Sequence, residues 1–176
     1  IETNIKSDDN IGGATGKCIV LITPDADRTM NTYLGVSEQV SVADLCEDRL
    51  ILSKYLYIEG YLATSTTGCE MAIEAKRMAE QHGVKTSLSL SDPNVASYFR
   101  DQFKQIIGSG IDLLFCNERE ALLFCDTEDL NEAHTILQTI AKNYVITLGK
   151  NGAQVYDGRE VRSVAAVPVN VIDTLG

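Results

Sequence analysis

The chain has 176 residues, 44% of them hydrophobic and 23% charged, enough for one globular domain with a core of its own. Its formal net charge is −10, from 15 Lys and Arg against 25 Asp and Glu, which argues against a nucleic-acid partner because binding that backbone needs a basic surface. An anionic ligand would have to be held locally, by backbone N–H groups, a helix N-terminus or a metal ion.

Residues 1 to 13 are polar and Gly-rich, the composition of a connection inside a longer chain. Lys17 to Thr23 is strand-like, Pro24-Asp25-Ala26-Asp27 is turn chemistry, and Arg28 to Gly35 alternates loosely, so this stretch predicts a hairpin. Ser41 with Asp44 resembles a cap for a helix through about Ser53, with Leu45, Leu50 and Ile51 facing inward. Tyr55 to Ile58 reads as a strand ending at Glu59-Gly60. Thr66 or Thr67 then caps a helix with Met71, Ala72, Ala75, Met78 and Ala79 on one face, closed by Gly83.

Val84, Thr86, Leu88 and Leu90 alternate as a strand that ends at Ser91-Asp92-Pro93. A helix carrying Val95, Phe99, Phe103, Ile106 and Ile107 follows, then a strand from Ile111 to Cys116. Further helices are expected after Asn117 and across Leu130 to Lys142, with a strand from Tyr144 to Leu148. Asp157-Gly158 is hairpin-turn chemistry between Ala153–Tyr156 and Arg159–Val164. Repeated strand–helix–strand units with short links mean right-handed crossovers and a mainly parallel sheet, expected to be covered on both faces. Such a sheet brings Glu59, Asp92, Asn117 and Thr147-Leu148-Gly149, each at a strand's carboxyl end, to one rim, where ligands bind in open α/β sheets.

The five cysteines, Cys18, Cys46, Cys69, Cys116 and Cys125, are odd in number and lack C-x-x-C spacing. Cys18, Cys69 and Cys116 lie among apolar neighbours, which predicts core thiols in a reducing compartment. His82 and His134 are far apart in sequence, which argues against a His/Cys zinc site. With no signal peptide and no apolar stretch of bilayer length, the expected location is cytoplasmic, with no membrane partner.

The rim residues each admit two readings. Asn117-x-x-Glu120 is the spacing of a capping box; alternatively Asn117 contacts phosphate and Glu120 serves Mg²⁺ through water, since Mg²⁺ keeps much of its hydration shell. Gly149-Lys150-Asn151-Gly152 is a tight turn, or a loop whose glycines let backbone approach a nucleotide. It is not a Walker A sequence, and Gly12-Gly13-Ala14-Thr15-Gly16 is not a dinucleotide fingerprint because it precedes a strand. Asp173-Thr174-Leu175-Gly176 reads as a helix cap or the start of an anion-binding nest. Glu59 is either a satisfied acid or a ligand for substrate hydroxyls. Asp92 before Pro93 can be turn chemistry alone.

Taken in order, these pieces resemble the ribokinase/PfkB-type carbohydrate kinases, and within them the adenosine-kinase-like branch. Thr15 to Leu21 followed by Arg28-Thr29-Met30 looks like the family's lid, over about residues 14–35. Tyr57-Ile58-Glu59-Gly60-Tyr61 looks like the strand beside the substrate. Asn117-x-x-Glu120 is similar to the N-x-x-E motif, Thr147-Leu148-Gly149-x-x-Gly152 to the nucleotide loop, and Val167 to Gly176 to the run into the glycine-rich signature. The resemblance implies a layered α/β/α ribokinase-like fold, with residues 41–176 as its α/β core. It also implies transfer of the ATP γ-phosphoryl group to a primary hydroxyl of a sugar or nucleoside.

In that scheme Glu59 meets the substrate, Asn117, Thr147, Gly149 and Gly152 line ATP, and Glu120 holds Mg²⁺ through water. Asp173 helps bind a monovalent cation such as K⁺, and Gly176 opens the anion hole. The chain departs from the family pattern in three ways. The catalytic Asp is expected just beyond Gly176, so the 176-residue chain by itself is expected to be inactive. The N-terminal segment that supplies much of the substrate pocket is expected to be missing, leaving apolar surface for association, such as a homodimer. Asp92-Pro93-Asn94-Val95-Ala96 carries Ala where many sugar kinases have the Arg of D-x-N-x-R, which favours a nucleoside-like acceptor. The competing reading is a non-catalytic small-molecule-binding or regulatory module of the same fold.

Overall fold

The computed structural model describes residues 12–23 and 28–169. The expected hairpin is there: β1 (Thr15–Ile22) and β2 (Arg28–Gly35) pair antiparallel, from Thr15 opposite Gly35 to Ile22 opposite Arg28. The turn expected at residues 24–27 lies outside the described residues, as do residues 1–11 and 170–176. Cys18 is not a core thiol: it is exposed on this ribbon with Ile19, Val20 and Leu21, because two strands alone cannot bury both their faces. Cys69 and Cys116 are buried as expected.

The second sheet has six strands in the order β3 (Tyr55–Ile58), β4 (Lys85–Ser89), β5 (Ile111–Asn117), β6 (Ala141–Thr147), β7 (Ala153–Tyr156) and β8 (Val161–Val164). The first four are parallel, and β7 and β8 extend the sheet as an antiparallel hairpin. The hairpin turn is built on Asp157, whose Oδ1 accepts from Arg159 N at 3.0 Å and Glu160 N at 3.1 Å. That delays β8 to Val161, two residues later than the sequence suggests.

Neighbouring parallel strands taken in sequence order and joined by right-handed crossovers place every connecting helix on the same face. The burial pattern agrees. Ile58, Leu88, Leu114, Cys116, Tyr144 and Ile146 are buried on the helical face, while Tyr57 (58% exposed) and Phe115 (37%) stand on the other. The second covering layer expected from the strand–helix alternation is therefore not supplied by the described residues.

The helices correct several boundaries. No helix runs from Ser41 to Ser53: the Ser41–Asp44 capping box starts a 3₁₀ turn at Val42–Asp44, and Leu45 and Cys46 are extended before the one-turn α1 (Glu47–Leu50). Ile51 is exposed rather than inward. Helix α2 (Thr66–Gln81) is capped by Ser65, whose Oγ accepts from Gly68 N at 3.1 Å, and not by Thr66 or Thr67. Thr67 instead donates to Glu38 O at 3.0 Å. The single helix expected through Ile107 is two, α3 (Pro93–Tyr98) and α4 (Arg100–Ile107), divided where Phe99 leaves helical geometry at φ −110° and ψ 27°.

Helices α5 (Glu118–Cys125) and α6 (Leu130–Ile140) complete the layer. Helix α6 stops short of Lys142 because Ala141 already pairs with Ile111 in the sheet. Buried His134 pins α6 to β6 and β7: Nδ1 lies 2.7 Å from the Tyr144 hydroxyl and Nε2 2.6 Å from Gln154 Oε1. Since Gln154 Oε1 can only accept, Nε2 carries the proton and Nδ1 accepts from Tyr144. Burial raises the Tyr144 phenol to about 12, so it stays a donor. Among the described residues no helix is long and apolar enough to cross a membrane.

Asp112 fixes the amino ends of the central strands. The β4–β5 register starts at Ser87 opposite Leu113, so the Thr86 N–H has no strand partner in β5. Asp112 Oδ2 supplies one, accepting from Thr86 N at 2.8 Å and Thr86 Oγ1 at 3.1 Å, while Oδ1 accepts from Lys142 Nζ at 2.7 Å. Burial opposes the charge, but these donors outweigh it and hold the carboxyl below its ordinary range. Asp112→Ala leaves the Thr86 N–H buried without a partner and should cost about 1–3 kcal/mol in urea unfolding at neutral pH. A depressed folded-state pKa gives stability above the unfolded-state value that is lost as pH falls through the folded one. The deficit should therefore shrink in acid, and a pH-independent deficit would contradict this role.

Candidate functional site

Because β3 to β6 are parallel and in register, their carboxyl ends share one edge. Glu59 follows β3, Asp92 follows β4, Asn117 ends β5 directly opposite Thr147 at the end of β6, and Gly149 follows two residues later. The structure thus brings together Glu59, Asp92, Asn117, Glu120, Thr147 and Gly149. Asp173 and Gly176 lie outside the described residues.

Asn117 and Glu120 form the full capping box. Asn117 Oδ1 accepts from Glu120 N at 2.8 Å, and Glu120 Oε2 accepts from Asn117 N at 3.0 Å. Asn117 Nδ2 also donates to Glu120 Oε1 at 2.7 Å, so both carboxylate oxygens are engaged. Glu120 is 6% exposed. Burial raises its pKa, the Asn117 N–H opposes that, and the fields of Asp92 and Glu59 raise it further. These three acids therefore repel one another across the rim. Asp92 is also a cap, its Oδ1 accepting from Asn94 N at 2.7 Å and Val95 N at 3.2 Å, with Pro93 in the first helical turn.

The two loop glycines differ. Gly149 has φ 56° and nothing within 4 Å of where a Cβ would stand, so its backbone is open to approach. Gly152 has φ 89°, and a Cβ there would meet Val164 O at 2.0 Å; its lack of a side chain is required by the end of β8.

Two further residues join the rim, Tyr61 from the run that resembles the strand beside the substrate and Ser91 from the end of β4, and the sequence gives neither a role. Tyr61 follows Glu59 by two residues: burial raises its phenol, and the fields of Asp92, Glu59, the hairpin's Cys18 and Glu120 add to that. Ser91 bonds the Glu59 carboxylate at 2.5 Å. Neither an isolated tyrosine nor a serine before Asp-Pro announces a site; only the parallel pairing of β3 with β4 brings them there.

Concave space is found away from the rim. A cavity of ≈ 400 Å³ lined by Lys85, Asp112 and Lys142 lies at the amino ends of the strands, and one of ≈ 630 Å³ lies on the uncovered face beside Tyr55, Leu113, Asn143 and Val155. Neither contains a residue of the rim. The rim is read as the site because acids, an amide and an open glycine loop converge there.

Residues 4–176 match the model of the pfkB family carbohydrate kinases, and the chain belongs to that family. Its fold is the ribokinase-like α/β fold, a mainly parallel six-stranded sheet with helices and a small antiparallel hairpin. The crystal structure of adenosine kinase from Sinorhizobium meliloti superposes with a TM-score of 0.84 and 34% identity, over 91% of this chain and 50% of that one. Adenosine kinase from Saccharomyces cerevisiae is 29% identical over 133 residues, 74% of this chain and 38% of the yeast enzyme. Cytidine kinase from Thermococcus kodakarensis is 40% identical over 80 residues, 44% of this chain and 28% of the archaeal enzyme. The chain thus spans half or less of the length of these kinases.

The buried box gives a pH test. With the folded-state pKa of Glu120 above the unfolded one, the native state binds more protons between the two. Its contribution is fully present below the unfolded-state value and is lost as pH rises through the folded one. Glu120→Gln forfeits part of a cap, about 1 kcal/mol, but escapes this loss. The Tm of the variant should gain on that of the wild type as pH rises from about 4 to about 7. A wild type that gains on the variant over that range would contradict the raised pKa.

Proposed function

We propose that the protein is an ATP-dependent phosphotransferase that moves the γ-phosphoryl group to a primary hydroxyl of a sugar or nucleoside, an adenosine-like nucleoside being favoured, in the cytoplasm. The observation that carries this reading is the order of groups along the carboxyl edge. Glu59 stands at one side, the Asn117–Glu120 pair in the middle, and the open backbone at Gly149 at the other. That order offers an acceptor hydroxyl, a phosphate and a nucleotide neighbouring places, and phosphoryl transfer depends on such positioning and charge stabilisation more than on covalent chemistry.

Glu59 accepts from the acceptor's hydroxyls. Asn117 contacts phosphate, and Thr147, Gly149 and Gly152 line the nucleotide. Asp173 contributes to a monovalent-cation site such as one for K⁺, and Gly176 opens the anion hole. Both oxygens of Glu120 are already engaged by Asn117, and among the described residues no group of three or more His, Cys, Asp or Glu could hold a metal. The donor set therefore suits a hydrated Mg²⁺ carried by the phosphates, with Glu120 facing its water, rather than a protein cage. When bound, Mg²⁺ supplies charge neutralisation on the phosphates. Similarity to adenosine kinase structures and the Ala at position 96 support the nucleoside over a ketose.

The test uses the protein expressed from its complete reading frame, with ATP, Mg²⁺ and K⁺, against ribose, fructose, adenosine, cytidine and inosine, following ADP. Adenosine-dependent ADP release is expected, and Glu120→Gln should lower kcat by several kcal/mol in barrier terms, about 10²-fold or more. Nucleotide binding without acceptor-dependent ADP release from any of the panel would favour the non-catalytic module instead.

A further inference from the structure

The turn at Ser91 is unusual backbone. Ser91 has φ 69°, and the Asp92 N–H donates to Leu90 O at 2.8 Å. A bond from residue i+2 back to residue i about a positive φ is the rare, strained sense of the γ-turn. Among the described residues the other non-glycine with positive φ is Asp126, which closes α5 in the left-handed region that helix ends commonly use. Ser91 closes no helix; it precedes the Asp92 cap of α3. Glycine would take this conformation without strain, so a reason for serine has to be sought in its side chain.

The hydroxyl has one proton to give and lone pairs to accept with. Ser91 Oγ stands 2.5 Å from Glu59 Oε1 and 3.1 Å from Oε2, and it accepts from the Gly60 N–H at 2.9 Å. The Ser91 N–H in turn donates to Ser89 Oγ at 3.2 Å. One hydroxyl thus ties the carboxyl end of β3 to that of β4 and fixes the rotation of the Glu59 carboxylate. The contact exists because residue 60 has no side chain: a Cβ there would meet Ser89 O at 2.4 Å and Ser91 Oγ at 2.6 Å.

We infer that Ser91 is a positioning residue for the acceptor. Its strained turn aims a hydroxyl at Glu59 so that the carboxylate is held on its Ser91 side, most closely at Oε1, and turns its remaining lone pairs to a substrate hydroxyl. The inference rests on the reading of Glu59 as a ligand of the acceptor. It distinguishes the two substrates, since the turn touches the acceptor side of the rim and leaves the nucleotide loop after β6 untouched.

The experiment compares wild type, Ser91→Gly, Ser91→Ala, Glu59→Gln and the double variant Ser91→Gly/Glu59→Gln in the complete protein, with adenosine as acceptor. Ser91→Gly relieves the strain but also takes the acceptor from the buried Gly60 N–H, so its Tm should lie above that of Ser91→Ala, which loses the same acceptor and keeps the strain. The kcat/KM of Ser91→Gly for adenosine should nevertheless fall about ten- to a hundredfold, carried by KM, with the KM for ATP unchanged. Ser91→Ala should show the same kinetic defect with a lower Tm. The double variant should be no worse than Glu59→Gln, because the two residues act as one unit. If Glu59→Gln raises the adenosine KM while Ser91→Gly leaves it at the wild-type value, the inference is overturned and the reading of Glu59 survives. If Glu59→Gln itself leaves that KM unchanged, both fall.

Discussion

Asp112 holds the amino ends of three strands with one carboxylate: it pairs the Thr86 N–H that the sheet ladder leaves over, and it anchors Lys142 at the start of β6. From there the parallel register runs through Leu88 opposite Leu114 and Leu114 opposite Tyr144 to Asn117 opposite Thr147. A slip of one residue would turn Leu88, Leu114 and Tyr144 out of the helical layer. It would also displace every rim group at the far end. Placement of the candidate site is thus a consequence of strand pairing that begins at the opposite edge of the sheet.

At the rim, stability and chemistry pull in different directions. Glu120 is buried, engaged on both oxygens and raised by burial and by its acidic neighbours, and a chain of net charge −10 offers little general relief. A carboxylate placed where burial and like charges both disfavour its ionised form is a common mark of a functional site. The same capping geometry that starts α5 also aims the first N–H groups of that helix at the rim, where an anion is favoured. Capping and phosphate binding are therefore compatible uses of one helix start, and the completeness of the capping box does not argue against the second.

Much of this is legible in the sequence. The alternation of Val84, Thr86, Leu88 and Leu90 and the capping spacing of Asn117 and Glu120 report local preferences, and the strands and caps follow them. What escaped was set by tertiary contacts. The helix expected over Ser41–Ser53 breaks at Leu45 and Cys46, and the one through Phe99 breaks there, although the apolar spacing continues across both. Thr67 was a reasonable cap by composition, but it spends its hydroxyl on Glu38 and leaves Ser65 to cap α2. Cys18 sits in an apolar run and is exposed because its sheet has only two strands. The role of Ser91 escapes the sequence because its bond to Glu59 exists only once β3 lies beside β4. The single helical layer among the described residues follows from strand order, which periodicity does not report.

The central claim is that nucleotide and acceptor meet at the carboxyl edge of β3 to β6. Amide hydrogen exchange of the complete protein with and without ATP, Mg²⁺ and adenosine tests it most directly. The account predicts added protection at residues 59–61, 91–95, 117–120 and 147–152, with no change around Lys85, residues 109–112 and Lys142 at the opposite edge. Protection concentrated at that amino-terminal edge, or on the uncovered face around Tyr55 and Val155, would contradict it.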